Sequence, residues 1–401
     1  MATTDESTDA GSQTTYRERI RAYLGERAGE APTVRADDIS PDAVEQRRAW
    51  QRRLMEGGVA GVTWPVEFGG QGLGPVEQAI ADEEIEAAGV PGVFDFIGVG
   101  MLGPTIMVHG SEEQKQRYLA PMLAGDELWC QLFSEPAAGS DLAGIHTRAK
   151  RQEDGSWIVN GQKVWTTNAQ FASYGLMLAR VDPDVPKHKG LAMFVVPMDA
   201  PGVKVLPLRR IAGDAHFNEV FLDDVPLAGE AVVGAPGDGW KVALTTLMFE
   251  RASVSMSGEE FGVDLDVLVA AIAADEAASV REGVRDRLGE VAVELLAVRL
   301  AAQRGAAERQ DGRPPGPEAG LNKVTLVNAA AAAGELLADV LGPEGLADGA
   351  PAADLTSLVP GLASAGGTEQ ILRNTIGERV LGLPGEPRVD KDVPFRELKR
   401  G

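Results

Sequence analysis

The hydrophobic period of this chain changes twice. From Tyr16 to about residue 125 the apolar residues recur at helical spacing. From 126 to 235 they gather in short strand-like runs, and from Gly239 to Gly382 helical spacing returns. Two helical regions enclosing one β region narrow the possible architectures sharply, because each layer must find a partner for its apolar face. The predicted helices are Tyr16–Leu24, Pro41–Glu56, Pro75–Ala88, Gly103–His109 and Glu112–Leu123, then Trp240–Met256, Val263–Ala274, Glu282–Gln303, Gly320–Val340 and Thr368–Val380. The glycine-rich stretch Gly57–Gly74, with Thr63-Trp64-Pro65, reads as loop. Asn160-Gly161 between Ser156–Val159 and Gln162–Trp165 predicts a tight hairpin, since both turn residues would take positive φ. Further strands are expected at Tyr174–Val181, Leu191–Pro197, Val203–Leu208 and Glu219–Leu222, a spacing that suits a small barrel or sandwich. Ala329–Ala333 reads as a site of close helix packing, and Pro384–Gly401 as a charged tail.

With 401 residues the chain can bury a large core in two or three domains. No apolar run approaches the roughly 20 residues of a membrane span. Met1–Thr15 is polar and acidic, without the basic start of a targeting segment, so residues 1–15 are expected to be frayed and the protein cytoplasmic. A single cysteine, Cys130, rules out an internal disulfide, and with 4 histidines no metal site is expected. The net charge of −22 argues against nucleic acid as a partner. An anionic substrate would need a locally basic site.

Two segments carry chemistry. Gln131-Leu132-Phe133-Ser134-Glu135-Pro136-Ala137-Ala138-Gly139-Ser140-Asp141 runs from a strand into a proline turn whose backbone N–H groups and hydroxyl suit a phosphate or other anion. Lys163-Val164-Trp165-Thr166-Thr167-Asn168 offers an indole face and two hydroxyls, which suit a flat heterocycle. Each has a plainer explanation: a core tryptophan, a capping serine, threonines placed for β-propensity. Their combination favours a cofactor site.

These segments, together with Asn160–Trp165, Phe217-Asn218-Glu219-Val220-Phe221, Gly366-Gly367-Thr368 and Ile371–Arg379, resemble the acyl-CoA dehydrogenase family over residues 16–385. The resemblance implies an α+β chain: an N-terminal helical domain (16–125), a middle β-barrel or sandwich domain (126–235) and a C-terminal four-helix bundle (236–385), with a tail from 386. It implies FAD as cofactor, lined by Gln131, Leu132, Phe133, Ser134, Gly139 and Ser140. Trp165 would pack on the isoalloxazine, with Thr166 and Thr167 near its N5. Thr368 and Gln370 would reach the FAD of a neighbouring subunit, hence an oligomer, usually a tetramer. The implied partners are an acyl-CoA substrate and an electron-transfer flavoprotein.

The implied reaction removes an α proton from an acyl-CoA while flavin N5 takes a hydride from the β carbon, giving trans-2-enoyl-CoA. Many family members carry the base just before the Gly-Thr of the late motif, where this chain has Gly366, whose N–H can still serve the developing enolate. Another subset carries it in a hydrophobic-hydrophobic-Glu-Arg run, matched here by Met248-Phe249-Glu250-Arg251. Periodicity agrees: Ala243, Leu247, Glu250 and Val254 share one helix face, where a carboxylate is costly unless paired or functional. An ion pair with an arginine such as Arg251 is the competing explanation. Burial would move the Glu250 pKa towards that of a usable base. Open volume at Gly366 favours a branched or bulky acyl group.

The sequence departs from the family at two places. An Arg-x-x-Phe-Gly motif that reaches a partner's FAD is absent from Val263–Arg287, which contains Ala273-Ala274-Asp275-Glu276-Ala277-Ala278. Asp339-Val340-Leu341-Gly342-Pro343 stands where Gln-x-x-Gly-Gly is usual. The chain is therefore expected either to hold FAD less tightly from the partner side or to pair with a related subunit in a heterotetramer. A flavin monooxygenase or oxidase on the same fold, a non-catalytic partner subunit, and a carrier-protein thioester substrate are the remaining alternatives.

Overall fold

The computed structural model describes residues 6–34, 38–211, 213–254, 265–274, 281–309, 316–317, 319–347, 349–388 and 390–398, with backbone alone for 6–12, 251–254, 306–309 and 319. They fall into two compact units: Met1–Leu208 with Ala215–Thr246 and Val389–Gly401, and Arg209–Asp214 with Leu247–Arg388.

Among the described residues the first unit begins with the α-helices α1 (Glu6–Arg27), α2 (Pro41–Glu56), α3 (Pro75–Ala88), α4 (Gly103–His109) and α5 (Glu112–Leu123). Of the start expected to fray over 1–15, residues 6–15 are helical as the first turns of α1, and residues 1–5 lie outside the described residues. Local chemistry sets the other starts. Ser40 accepts from Ala43 N ahead of Pro41, and Ser111 and Gln114 form a reciprocal capping box at α5.

Eight strands follow: β1 (Trp129–Leu132), β2 (Arg148–Arg151), β3 (Trp157–Thr167), β4 (Tyr174–Arg180), β5 (Leu191–Pro197), β6 (Val203–Leu208), β7 (Phe217–Leu227) and β8 (Val232–Val233). They form one sheet in the order β6-β7-β3-β2-β4-β5-β8, with β1 parallel to β4. Its core joins Leu132, Met177, Phe194, Val196, Val220 and Leu222, and Trp157 meets Phe194 edge to face at 5.3 Å.

The hairpin expected at Asn160-Gly161 does not form. β3 runs straight through these residues, and the pairing with β7 shifts register between Val159 and Gly161. Asn160 bonds Asp224 across the strands instead of turning the chain. Gly161 is needed for close approach: a Cβ there would lie 2.3 Å from Thr147 Oγ1.

The tail expected from 386 is held in part. Its residues 390–398 dock on the first unit: Phe395 N donates to Val185 O, and its ring covers the Arg180 guanidinium at 3.4 Å. Arg396 pairs with Asp184, and Lys187 joins Asp390 to Asp141.

Helix α6 (Gly239–Val254) carries the chain into the second unit, which continues with α7 (Leu265–Ala274), α8 (Val284–Arg309), α9 (Ala319–Leu341), α10 (Pro351–Ser364) and α11 (Glu369–Arg379). Helix α9 is central and packs against α7, α8, α10 and α11. Ala329, Ala330 and Ala333 on it are fully buried, small enough for neighbours to approach closely. Contrary to the expectation from the sequence, Gly320–Leu346 is long and apolar enough to cross a bilayer, but 56% of its most apolar window is buried, as in a bundle's core helix. No described group of His, Cys, Asp or Glu could hold a metal ion.

Candidate active site

The two chemistry-bearing segments of the first unit are bonded to each other. After β1 the chain folds into a tight turn closed by Glu135 N to Ala138 O and Ala138 N to Glu135 O, both 3.0 Å. Pro136 and Ala137 form its exposed tip, and Gly139 and Ser140 follow, also exposed. Leu132 and Phe133 are buried supports, whereas Gln131 and Ser134 are half-buried. Val164 N donates to Ser134 O at 3.0 Å, which ties the turn to β3.

The stronger tie is buried. Lys163, with no exposed surface, donates to Phe133 O (3.0 Å), Leu178 O (2.8 Å) and Glu135 Oε1 (2.9 Å). The Glu135 carboxylate also accepts from His146 N (2.6 Å) and Thr147 N (2.9 Å). Burial pushes the Glu135 pKa up, but Lys163 and these N–H donors outweigh it and hold the carboxyl below its ordinary value. All three Lys163 protons find acceptors, the condition under which a buried pair is tolerated. Removing either partner leaves a buried charge uncompensated, at a cost of about 3–5 kcal/mol. Sequence reading missed this pair, although a lysine among the apolar residues of a strand was its visible signal.

Trp165 follows Lys163 and does not enter the core. It is 58% exposed and takes φ of 58°, a left-handed conformation rarely adopted by a bulky residue. The register of β3 with β7 shifts between Lys163 and Thr166, so the strand bulges where Trp165 is displayed. Phe217 meets its ring edge at 5.7 Å. Asn218 fixes the far side of the bulge by donating to Thr166 O at 3.1 Å.

Beyond the bulge the two threonines part. Thr166 is fully buried, with a hydroxyl lacking any partner among the described residues, whereas Thr167 is half-buried. Strand alternation puts Thr167 with Trp165 and turns Thr166 inward. An open indole face with Thr167, Ser134 and Gln131 at half-buried positions is a donor set that fits a flat heterocycle with hydrogen-bonding edges. The structure thus fits an isoalloxazine through Trp165 and Thr167 better than through Thr166.

The second unit brings the two candidate base positions together. Gly366 and Gly367 take φ of 63° and 94°, backbone that favours glycine. A Cβ added at Gly366 would lie 3.6 Å from Glu250 Oε1, so a side chain at 366 and the Glu250 carboxylate would occupy adjoining space. Glu250 is half-buried on α6, while the Arg251 side chain and Asp275–Ala278 lie outside the described residues. Thr368 caps α11 by accepting from Ile371 N at 3.4 Å, and Gln370 is exposed. Asp339 pairs with Arg287.

Helices, a mixed sheet and a helical bundle, with an exposed indole on the strand tied to the Glu135–Ala138 turn, make an arrangement that suits a flavin. The sequence matches the acyl-CoA dehydrogenase N-terminal domain over 11–126, the middle domain over 130–225 and the C-terminal domain over 237–381. It is 38% identical over 386 residues to acyl-CoA dehydrogenase IpdE1 of Mycobacterium tuberculosis, covering 93% of this chain and 98% of that protein. It is 40% identical over 373 residues to acyl-CoA dehydrogenase FadE34 of the same organism, covering 93% of this chain but spanning about half of that protein (51%). Among solved structures, the Tcur3481-Tcur3483 steroid ACAD superposes with a TM-score of 0.79 at 29% identity, covering 94% of this chain and 98% of that one. The chain belongs to the acyl-CoA dehydrogenase family. It is accordingly an FAD-dependent oxidoreductase acting on CH–CH groups. Acyl-CoA substrates and an electron-transfer flavoprotein acceptor are typical of that family.

Proposed function

We propose that this chain desaturates a bulky acyl-CoA to its trans-2-enoyl-CoA, with Glu250 as the base that removes the α proton. The observation that carries the reading is the 3.6 Å between Glu250 Oε1 and the place where a side chain at Gly366 would begin. Family members differ in which of these two positions supplies the carboxylate, and here the two positions adjoin. Glu250 takes the proton, and the Gly366 N–H is suited to donate to the thioester oxygen as it gains charge. FAD, when bound, supplies the hydride acceptor at N5. Gln131, Ser134, Gly139, Ser140, Trp165 and Thr167 would hold it, with Leu132, Phe133 and the inward Thr166 packed behind. Thr368 and Gln370 are assigned to the FAD of a neighbouring subunit.

The missing side chain at Gly366 leaves room for branching or rings close to the reacting carbons. The name of the steroid ACAD, a 29% identical structure, points the same way for that protein. The second reading is a heteromeric assembly. Asp339, at the position where a glutamine would serve FAD across the interface, is engaged with Arg287, so a related subunit would supply that contact.

Glu250→Gln decides the base assignment. The variant is expected to keep its FAD and to lose flavin reduction on anaerobic addition of a ring-bearing acyl-CoA, by ~10³-fold or more. Reduction at the wild-type rate would overturn it. Wild-type preference for short straight-chain acyl-CoA would overturn the bulky-substrate assignment.

A further inference from the structure

Lys323 on α9 is 3% exposed, and none of the steps above uses it. Its ammonium donates to Ala363 O at 3.0 Å and to Gly367 O at 3.1 Å. These carbonyls bracket Ser364-Ala365-Gly366, the end of α10 and the start of its connection to α11, which carries the enolate-side N–H. Ala363 lies in the last turn of α10, where carbonyls lack helical partners and the dipole favours a cation. The backbone between the two anchors reaches φ of 63° at Gly366 and 94° at Gly367, so nothing in glycine's own preferences fixes it there. The anchor is closely packed: α9 is the central helix, and a Cβ at its Gly320 would lie only 3.2 Å from Leu372 of α11.

We propose that Lys323 is a positioning residue of the reaction: by clipping the end of α10 to the Gly367 carbonyl, it holds Gly366 in register with the Glu250 carboxylate. The proposal rests on the assignment of Glu250 as base. Electrostatics fit this placement. Burial lowers the Lys323 pKa, and the Glu369 and Glu250 carboxylates oppose that shift, so the lysine lies within electrostatic reach of the base as well as of the loop. A cap needed only for stability would serve at any helix end; this one spans both sides of the residue facing the base.

The test is a series at one position in the full-length flavoprotein: Lys323→Arg, Lys323→Gln and Lys323→Met, with Glu250→Gln alongside. FAD content, KM and the single-turnover rate of flavin reduction by a ring-bearing acyl-CoA are read for each. Loosening the loop by a fraction of an ångström is expected to lower the reduction rate ~10–100-fold in Lys323→Met. Lys323→Gln should be intermediate and Lys323→Arg within ~10-fold of wild type but below it. KM per bound FAD should stay unchanged throughout. Flat rates across the variants that fold overturn the proposal, as does a loss confined to stability or FAD content. If the uncharged variants do not fold, Lys323→Arg decides alone: an unchanged rate counts against the role, and a reduced rate at unchanged KM supports it. An inactive Glu250→Gln beside a flat series would fault Lys323 only, whereas an active Glu250→Gln would fault the base assignment beneath it.

Discussion

At the scale of single residues, Trp165 trades local strain for display. A bulky side chain at φ of 58° is strained by about 1–3 kcal/mol, and a ring 58% exposed recovers little of that through burial. The buried Lys163–Glu135 pair before it and Asn218 after it hold the bulge in place. Glycine at this position would relax the backbone without loss of core. Trp165→Gly is therefore expected to raise the unfolding free energy of the FAD-stripped chain by about 1 kcal/mol while weakening FAD binding. Urea unfolding of the stripped chain and FAD titration read the two effects separately. A variant less stable than wild type would mean that the indole contributes packing, not display. The sequence made Trp165 legible as a candidate by its neighbours. Its conformation was not legible, because the bulge arises from register with β7, a partner more than fifty residues away.

At the scale of elements, the helices with serine caps, α2 and α5, could be read nearly to the residue, and so could α3 and α4, whose starts carry proline in the first turn. Pairing could not. Asn160-Gly161 has the composition of a hairpin, yet it marks a bulge inside a continuous strand, since long-range pairing overrides a local turn preference. Helix α10 escaped notice because Pro360 and Gly361 interrupt its pattern, and β2 because its Arg148-Ala149-Lys150-Arg151 is almost wholly polar. Also hidden was the buried link between helices and sheet. Gln51 on α2 donates to Met122 O and Leu123 O and accepts from Asp95 N, while Asp95 accepts from Gly98 N and from Trp129 N at the head of β1. Burial pushes the Asp95 pKa from 3.8 up to about 7, against the pull of those two N–H donors. A carboxyl raised in the folded state contributes stability that is complete below 3.8 and lost as pH rises through about 7. The unfolding free energy of the wild type should therefore fall, relative to that of Asp95→Asn, across this window. Urea midpoints measured at several pH values test it, and parallel curves would refute it. Gln51→Leu, which strands the Asp95 N–H and two carbonyls, should cost about 1–3 kcal/mol at any pH.

At the scale of the whole molecule, the second unit leaves apolar surface uncovered. Val293, Leu296 and Leu300 on α8 are 67%, 55% and 54% exposed, and spacings of three and four place them in one row along the helix. Such a row on a bundle helix is the kind of surface that another helix covers, and tetramers are typical of this fold. Charge introduced there should separate subunits. Leu296→Glu with Leu300→Glu is expected to lower the mass measured by light scattering below that of the native assembly. FAD occupancy should fall with it, because Thr368 and Gln370 are assigned to the neighbouring subunit's cofactor. Co-expression with a related chain tests the heteromer. If a heteromer supplies the contacts that Asp339 does not, the wild-type chain alone should hold less than one FAD each and reach full occupancy with its partner. The α8 variant should then lose that gain. Full occupancy in a dissociated α8 variant would instead show that each chain holds its flavin by itself, and would remove Thr368 and Gln370 from the site.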